Sequence, residues 1–93
     1  MHPDPAHIIK YQSSSVQVGG YTALVCLSEG NPSPVTTWKS RKTDKIVALG
    51  STLVFCSAQF QDSGMYTCNS ENGEGSDKAS VFLKVTGNTH NVP

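Results

Sequence analysis

The sequence predicts an all-β chain folded as an antiparallel sandwich or barrel, and three observations carry that prediction. Short β-prone runs recur at near-regular spacing along the 93 residues. Turn signals rich in Gly, Pro, Ser and Asn separate them. No stretch shows the 3.6-residue apolar repeat of an amphipathic helix.

In order, strands are expected at His7–Tyr11, Ser15–Val18, Tyr21–Ser28, Val35–Ser40, Lys45–Leu49, Thr52–Ser57, Met65–Ser70 and Ala79–Thr86. Gly19-Gly20 closes the second run, and Gly30-Asn31-Pro32-Ser33-Pro34 follows the third. Gly50 divides the fifth from the sixth. Asp62-Ser63-Gly64 precedes the seventh, and Asn72-Gly73-Glu74-Gly75 precedes the eighth. One domain is expected over residues 7–86. It lies between a linker at 1–6, which holds Pro3 and Pro5, and a polar linker at 87–93.

Alternate side chains of a strand face opposite ways, so parity gives a core. If Cys26 and Cys68 point inward, so do Thr22, Leu24, Thr36, Trp38 and Tyr66. Leu53, Phe55, Val81, Leu83 and Val85 complete the set. This alternation fits a Cys26–Cys68 pair, whereas Cys56 has the parity opposite to Leu53 and Phe55. A bridge there stabilises by roughly 4 kcal/mol in the chain-entropy account.

Composition narrows function. Seven Lys+Arg balance seven Asp+Glu, without the cationic excess that phosphate recognition needs, so no nucleic-acid partner is expected. The longest apolar run, Ala23 to Leu27, is far too short to span a bilayer, and no membrane insertion is expected. No basic and apolar leader follows Met1, the pattern of a soluble segment cut from a longer protein. His2, His7 and His90 lie in or beside the termini, leaving no interior imidazole as a general base. Eleven residues lie between Cys56 and Cys68 with no second pair nearby, so neither a metal nor another cofactor is expected. No Asn stands in an N-x-[ST] triplet. The chain reads as a non-enzyme.

Cys26, Trp38 twelve residues on, and the run Asp62-Ser63-Gly64-Met65-Tyr66-Thr67-Cys68 resemble the pattern of the immunoglobulin superfamily. The resemblance runs from about His7 to Thr86. It implies an intersheet Cys26–Cys68 bridge, Trp38 packed on that bridge and a tyrosine corner at Tyr66. It also implies a structural hydrogen-bonding role for Asp62. Only fourteen residues separate Trp38 from Leu53, which resembles a C2-type domain with ABE and GFCC′ sheets and no D strand. Cys26 to Pro34 and Glu71 to Gly75 resemble domains of leukocyte and vascular adhesion molecules and immune receptors. Thr22 and Thr36 depart from that pattern by standing where aliphatics are usual, and no acidic integrin-binding loop is present.

Two surfaces are then expected to matter. On the GFC face, Thr67, Lys39, Lys84 and the single aromatic Phe82 point outward, with Phe82 as the anchor for an acidic protein ligand or counter-receptor. Lys39, Arg41, Lys42 and Lys45 cluster on the C–C′ hairpin, opposite Glu71, Glu74 and Asp77 on the F–G loop; both tips also read as ordinary solvated hairpins. On the ABE face, Ala23, Val25, Leu27, Val54 and Cys56 turn toward water, an apolar patch expected either to form a homodimer with strand E near its axis or to be covered by a neighbouring domain or the N-terminal segment. Two Cys56 thiols meet there if their Cα atoms come within about 7 Å. The expected setting is one extracellular binding domain of a multi-domain plasma-membrane adhesion or immune receptor. The alternative is a cytoplasmic spacer domain of a muscle or cytoskeletal protein, where a free Cys56 is tolerated.

Overall fold

Among the described residues, eight strands form in the order β1 (Asp4–Gln12), β2 (Ser14–Gln17), β3 (Thr22–Asn31), β4 (Val35–Ser40), β5 (Ile46–Leu49), β6 (Thr52–Phe55), β7 (Gly64–Asn72) and β8 (Gly75–Thr86). The computed structural model describes residues 2–87. Of the expected linker at 87–93 only Gly87 falls within them, and Asn88, His90 and Asn91 lie outside the described residues.

One sheet has the order β1-β3-β6 and the other β2-β8-β7-β4-β5. In immunoglobulin lettering these are A-B-E and A′-G-F-C-C′, with no strand between β5 and β6 among the described residues. Every pairing is antiparallel except β2 with β8, which is parallel. The chain therefore changes sheets at Ser13, and its first two strands pair with opposite layers.

β7 and β8 run longer than expected because Glu71 and Asn72 continue the ladder to Gly75. The hairpin closes on the two residues Gly73 and Glu74, a loop length that suits the twist of paired strands. At the other end the expected linker is corrected. β1 begins at Asp4, and Ala6 is buried. Proline is tolerated in an edge strand, where a missing N–H faces solvent, so Pro5 did not bar pairing.

Leu24, Cys26, Trp38, Leu53, Tyr66, Cys68, Val81, Leu83 and Val85 are buried between the sheets. Phe55 is half-buried and meets Tyr66 edge-on, with ring centroids 5.7 Å apart. The two inward threonines are satisfied by hydroxyl partners: buried Thr36 pairs with Ser70 at 2.8 Å, and half-buried Thr22 pairs with Ser14. Sharing a hydrogen bond removes most of the cost of burying a hydroxyl. Ala58 is fully buried although it lies outside any strand. Its carbonyl accepts from Gly19 N–H at 2.7 Å and its N–H donates to the Gly20 carbonyl at 2.9 Å.

Candidate interaction surfaces

The motif residues that suggested the fold occupy one corner and the centre of the sandwich. Cys26 and Cys68 are bonded, their Cα atoms 6.5 Å apart. Trp38 is the cross-strand neighbour of Cys68 and is fully buried, its indole N–H donating to the Gly50 carbonyl at 3.0 Å. Asp62 ends a 3-10 turn, Phe60–Asp62, that sequence periodicity did not reveal. Its carboxylate accepts the Gln59 N–H at 2.8 Å, and its carbonyl accepts the Tyr66 hydroxyl at 2.5 Å. Burial, reinforced by the Asp62 charge, holds the Tyr66 hydroxyl above its ordinary pKa. Between them Gly64 adopts φ +144, a backbone conformation that side chains disfavour. These groups hold a corner together and offer no reacting centre.

The outer face of the five-stranded sheet carries the expected ligand-face residues. Phe82 is 42% exposed and lies directly across from exposed Met65. Thr67 pairs with Lys39 on one side and Ser80 on the other, and Lys84 follows Phe82 on the same face of β8. Lys39 is engaged with Asp44 at 3.4 Å. Thr37, Lys39, Ile46, Thr67, Asn69 and Lys78 line a shallow groove of about 360 Å³. The Asn69 side-chain carbonyl is buried there and makes no hydrogen bond within the chain.

The face of β1-β3-β6 differs from its expectation in one respect. Leu27, Val54 and Cys56 are exposed, with Cys56 free, but Ala23 and Val25 are half-buried. β1 lays Lys10 beside Leu27 and Gln12 beside Val25, so polar side chains interrupt the apolar patch. This N-terminal strand is the alternative neighbour expected for the patch from the sequence.

Sequence reasoning also missed the groups that fasten β1. The Asn72 side-chain oxygen accepts N–H groups of Ala6 (3.2 Å), Glu74 (2.9 Å) and Gly75 (3.1 Å). Its amide donates to the carbonyls of Asp4 and Pro32, each at 2.8 Å. One side chain thus ties β1, the β3–β4 loop and the β7–β8 turn together. An Asn beside Gly was legible as a turn signal, but the three-way contact was not.

A family profile described as immunoglobulin domain matches residues 5–72. Mouse sialic acid-binding Ig-like lectin 5 is 35% identical over 75 residues, covering 78% of this chain and 13% of that protein. Rat vascular cell adhesion protein 1 is 30% identical over 86 residues, covering 89% of this chain and 12% of that protein. The chain therefore spans about an eighth of these curated relatives. Among solved structures, Dpr11 IG1 bound to DIP-gamma superposes with a TM-score of 0.82 at 25% identity, covering 90% of this chain and 49% of that one. Among the described residues, no helix is long and apolar enough to cross a membrane.

Proposed function

The chain belongs to the immunoglobulin domain family, and from that premise we propose that it is a C2-type protein-binding domain of a multi-domain cell-surface adhesion or immune receptor, placed outside the cell. Its family and relatives are non-enzymatic. Protein partners are supported by the structural neighbour solved as a complex between immunoglobulin domains. The observation that carries the reading is the outer face of β2-β8-β7-β4-β5. There Phe82 and Met65 form an exposed apolar pair, and Thr67 on the same face continues from Met65 toward the groove. An exposed aromatic anchor framed by Lys39 and Lys84 suits a partner that brings an apolar side chain and acidic groups.

The test is binding of the multimerised domain to cells displaying a library of membrane proteins. Phe82→Ala is expected to weaken capture of the selected partner by more than about fivefold while thermal stability changes little. Unchanged capture moves the ligand site off this face.

The second reading, an intracellular spacer, is favoured by the exposed free thiol of Cys56, which reducing compartments tolerate. Mass measurement of the protein isolated from its own compartment separates the two. A two-hydrogen deficit that reductant restores places it in an oxidising setting, and its absence supports the spacer.

A further inference from the structure

The fold leaves four sheet edges, and they are unequally protected. β1 carries Pro5, His7, Lys10 and two irregularities of register, and β2 reads Ser-Ser-Val-Gln. Such prolines, charges and bulges are how edges avoid pairing with other chains. β6 is only four residues long, and of its side chains Leu53 is buried and Phe55 half-buried. β5 is as short as β2 and β6 and carries one bulge, but it is apolar at every position. It reads Ile-Val-Ala-Leu, with Ile46 61%, Val47 46% and Leu49 72% exposed.

Its one irregularity helps pairing with a like strand. Trp38 faces Ala48 and Lys39 faces Ile46, so Val47 is the extra residue of a bulge. Ile46 and Leu49 are thereby both across from outward residues, Lys39 and Thr37, while Val47 borders the groove with Leu53, Phe55 and Tyr66. When two copies of β5 run antiparallel, Ile46 meets Leu49 of the second copy on the outer face. Val47 meets its Ala48. The strand is its own complement.

Charge favours the same arrangement. The fold sorts an evenly balanced chain into two ends. Lys39, Arg41, Lys42, Lys45 and Lys84 lie toward the β4–β5 hairpin and the end of β8, five of the seven cations, and outnumber Asp44 and Asp62 at that end. Asp4, Glu29, Glu71, Glu74 and Asp77 lie toward the β7–β8 turn, five of the seven acids. The two-fold axis of an antiparallel strand pair reverses one copy, so the basic end of each lies alongside the acidic end of the other.

We propose that β5 is a self-recognition edge through which two copies of this domain join their five-stranded sheets into one continuous sheet. This surface shares Ile46 with the groove on the outer face, whereas Leu49 lies outside that groove and distinguishes the two. With only four residues per strand, the contact is small and the dimer forms and dissociates readily.

Sedimentation velocity of the chain from about 10 µM to about 1 mM tests the proposal. The expected result is a concentration-dependent dimer that Leu49→Lys and Ile46→Lys each convert to monomer. Both sites are exposed, and thermal midpoints verify that the variants fold. Amide hydrogen exchange at residues 46–49 is expected to slow as concentration rises. A monomer at every concentration overturns the proposal. So does a dimer lost on Val54→Lys but kept in Leu49→Lys, which places the contact on the β1-β3-β6 face. A dimer lost on Phe82→Ala alone overturns it too, by placing the contact on the ligand face.

Discussion

The carboxylate of Asp77 on β8 accepts a 2.8 Å hydrogen bond from the backbone N–H of Ile8 on β1, joining the two sheets through residues 69 apart in sequence. Its other oxygen accepts the Lys78 N–H at 2.9 Å. Removing the acceptor leaves the Ile8 N–H without its partner beneath the strand. Asp77→Ala is expected to cost about 1.5–3 kcal/mol, and Asp77→Asn, which keeps a carbonyl, less. Urea unfolding of both variants measures the difference, and equal losses would show that the carboxylate is not the acceptor that matters.

Tyr66 predicts a pH dependence. Its folded pKa is raised, by burial first and by the Asp62 charge second, so folding favours the neutral phenol. That contribution is fully present below about pH 10, the ordinary tyrosine value, and is lost as pH rises through the higher folded value. Tyr66→Phe is expected to lower stability near pH 7 by about 1 kcal/mol, through the lost bond to the Asp62 carbonyl. The variant's alkaline decline should also be shallower. Thermal unfolding from about pH 8 to about pH 12 reads both effects. Parallel alkaline limbs in the two proteins would exclude Tyr66 as their source.

Close approach predicts which glycines matter. A Cβ at Gly75 would lie 2.9 Å from the Pro5 Cβ, and one at Gly30 would lie 3.1 Å from the Ala6 Cα. Gly73, in the turn itself, has open space around it. Gly75→Ala and Gly30→Ala are expected to destabilise by about 1–3 kcal/mol by pushing β1 away, with Gly73→Ala near neutral. Chemical denaturation of the three variants checks the order.

One thiol and one bridge are expected on analysis of the oxidised protein. A thiol reagent should label Cys56 alone in the native state, and peptide mapping should link Cys26 to Cys68. Cys26→Ala with Cys68→Ala is expected to lower stability by roughly 2–5 kcal/mol. A link from Cys56 to either partner would contradict the fold.

Strand parity made the centre of this domain legible, because buried residues alternate along each strand, Leu24 with Cys26, Thr36 with Trp38, Tyr66 with Cys68, and Val81 with Leu83 and Val85. The start of β1 was not legible. It is held by Asn72 and Asp77, whose partners lie more than sixty residues away on the other sheet, and no local period encodes such bonds. The basic and acidic clusters were visible on their hairpins. That five cations and five acids collect at opposite ends emerges only once the register of β4, β7 and β8 is known. Partial burial of Val25 escaped for a similar reason: its neighbours Gln12 and Thr52 are known only from strand pairing.

The parallel alignment of β2 with β8 has a mechanical consequence. Ser14 lies beside Leu83 and Gln17 beside Thr86, and the Val18 N–H extends the ladder to the Thr86 carbonyl at 2.8 Å. Once β1 has come away from β3, tension transmitted along the chain pulls β2 from its leading end and β8 from its trailing end, in opposite directions. The transverse hydrogen bonds are then loaded together in shear, whereas an antiparallel hairpin pulled from its open end would rip one bond at a time. A stretched domain of this kind resists force until β2 and β8 slide past each other as a unit.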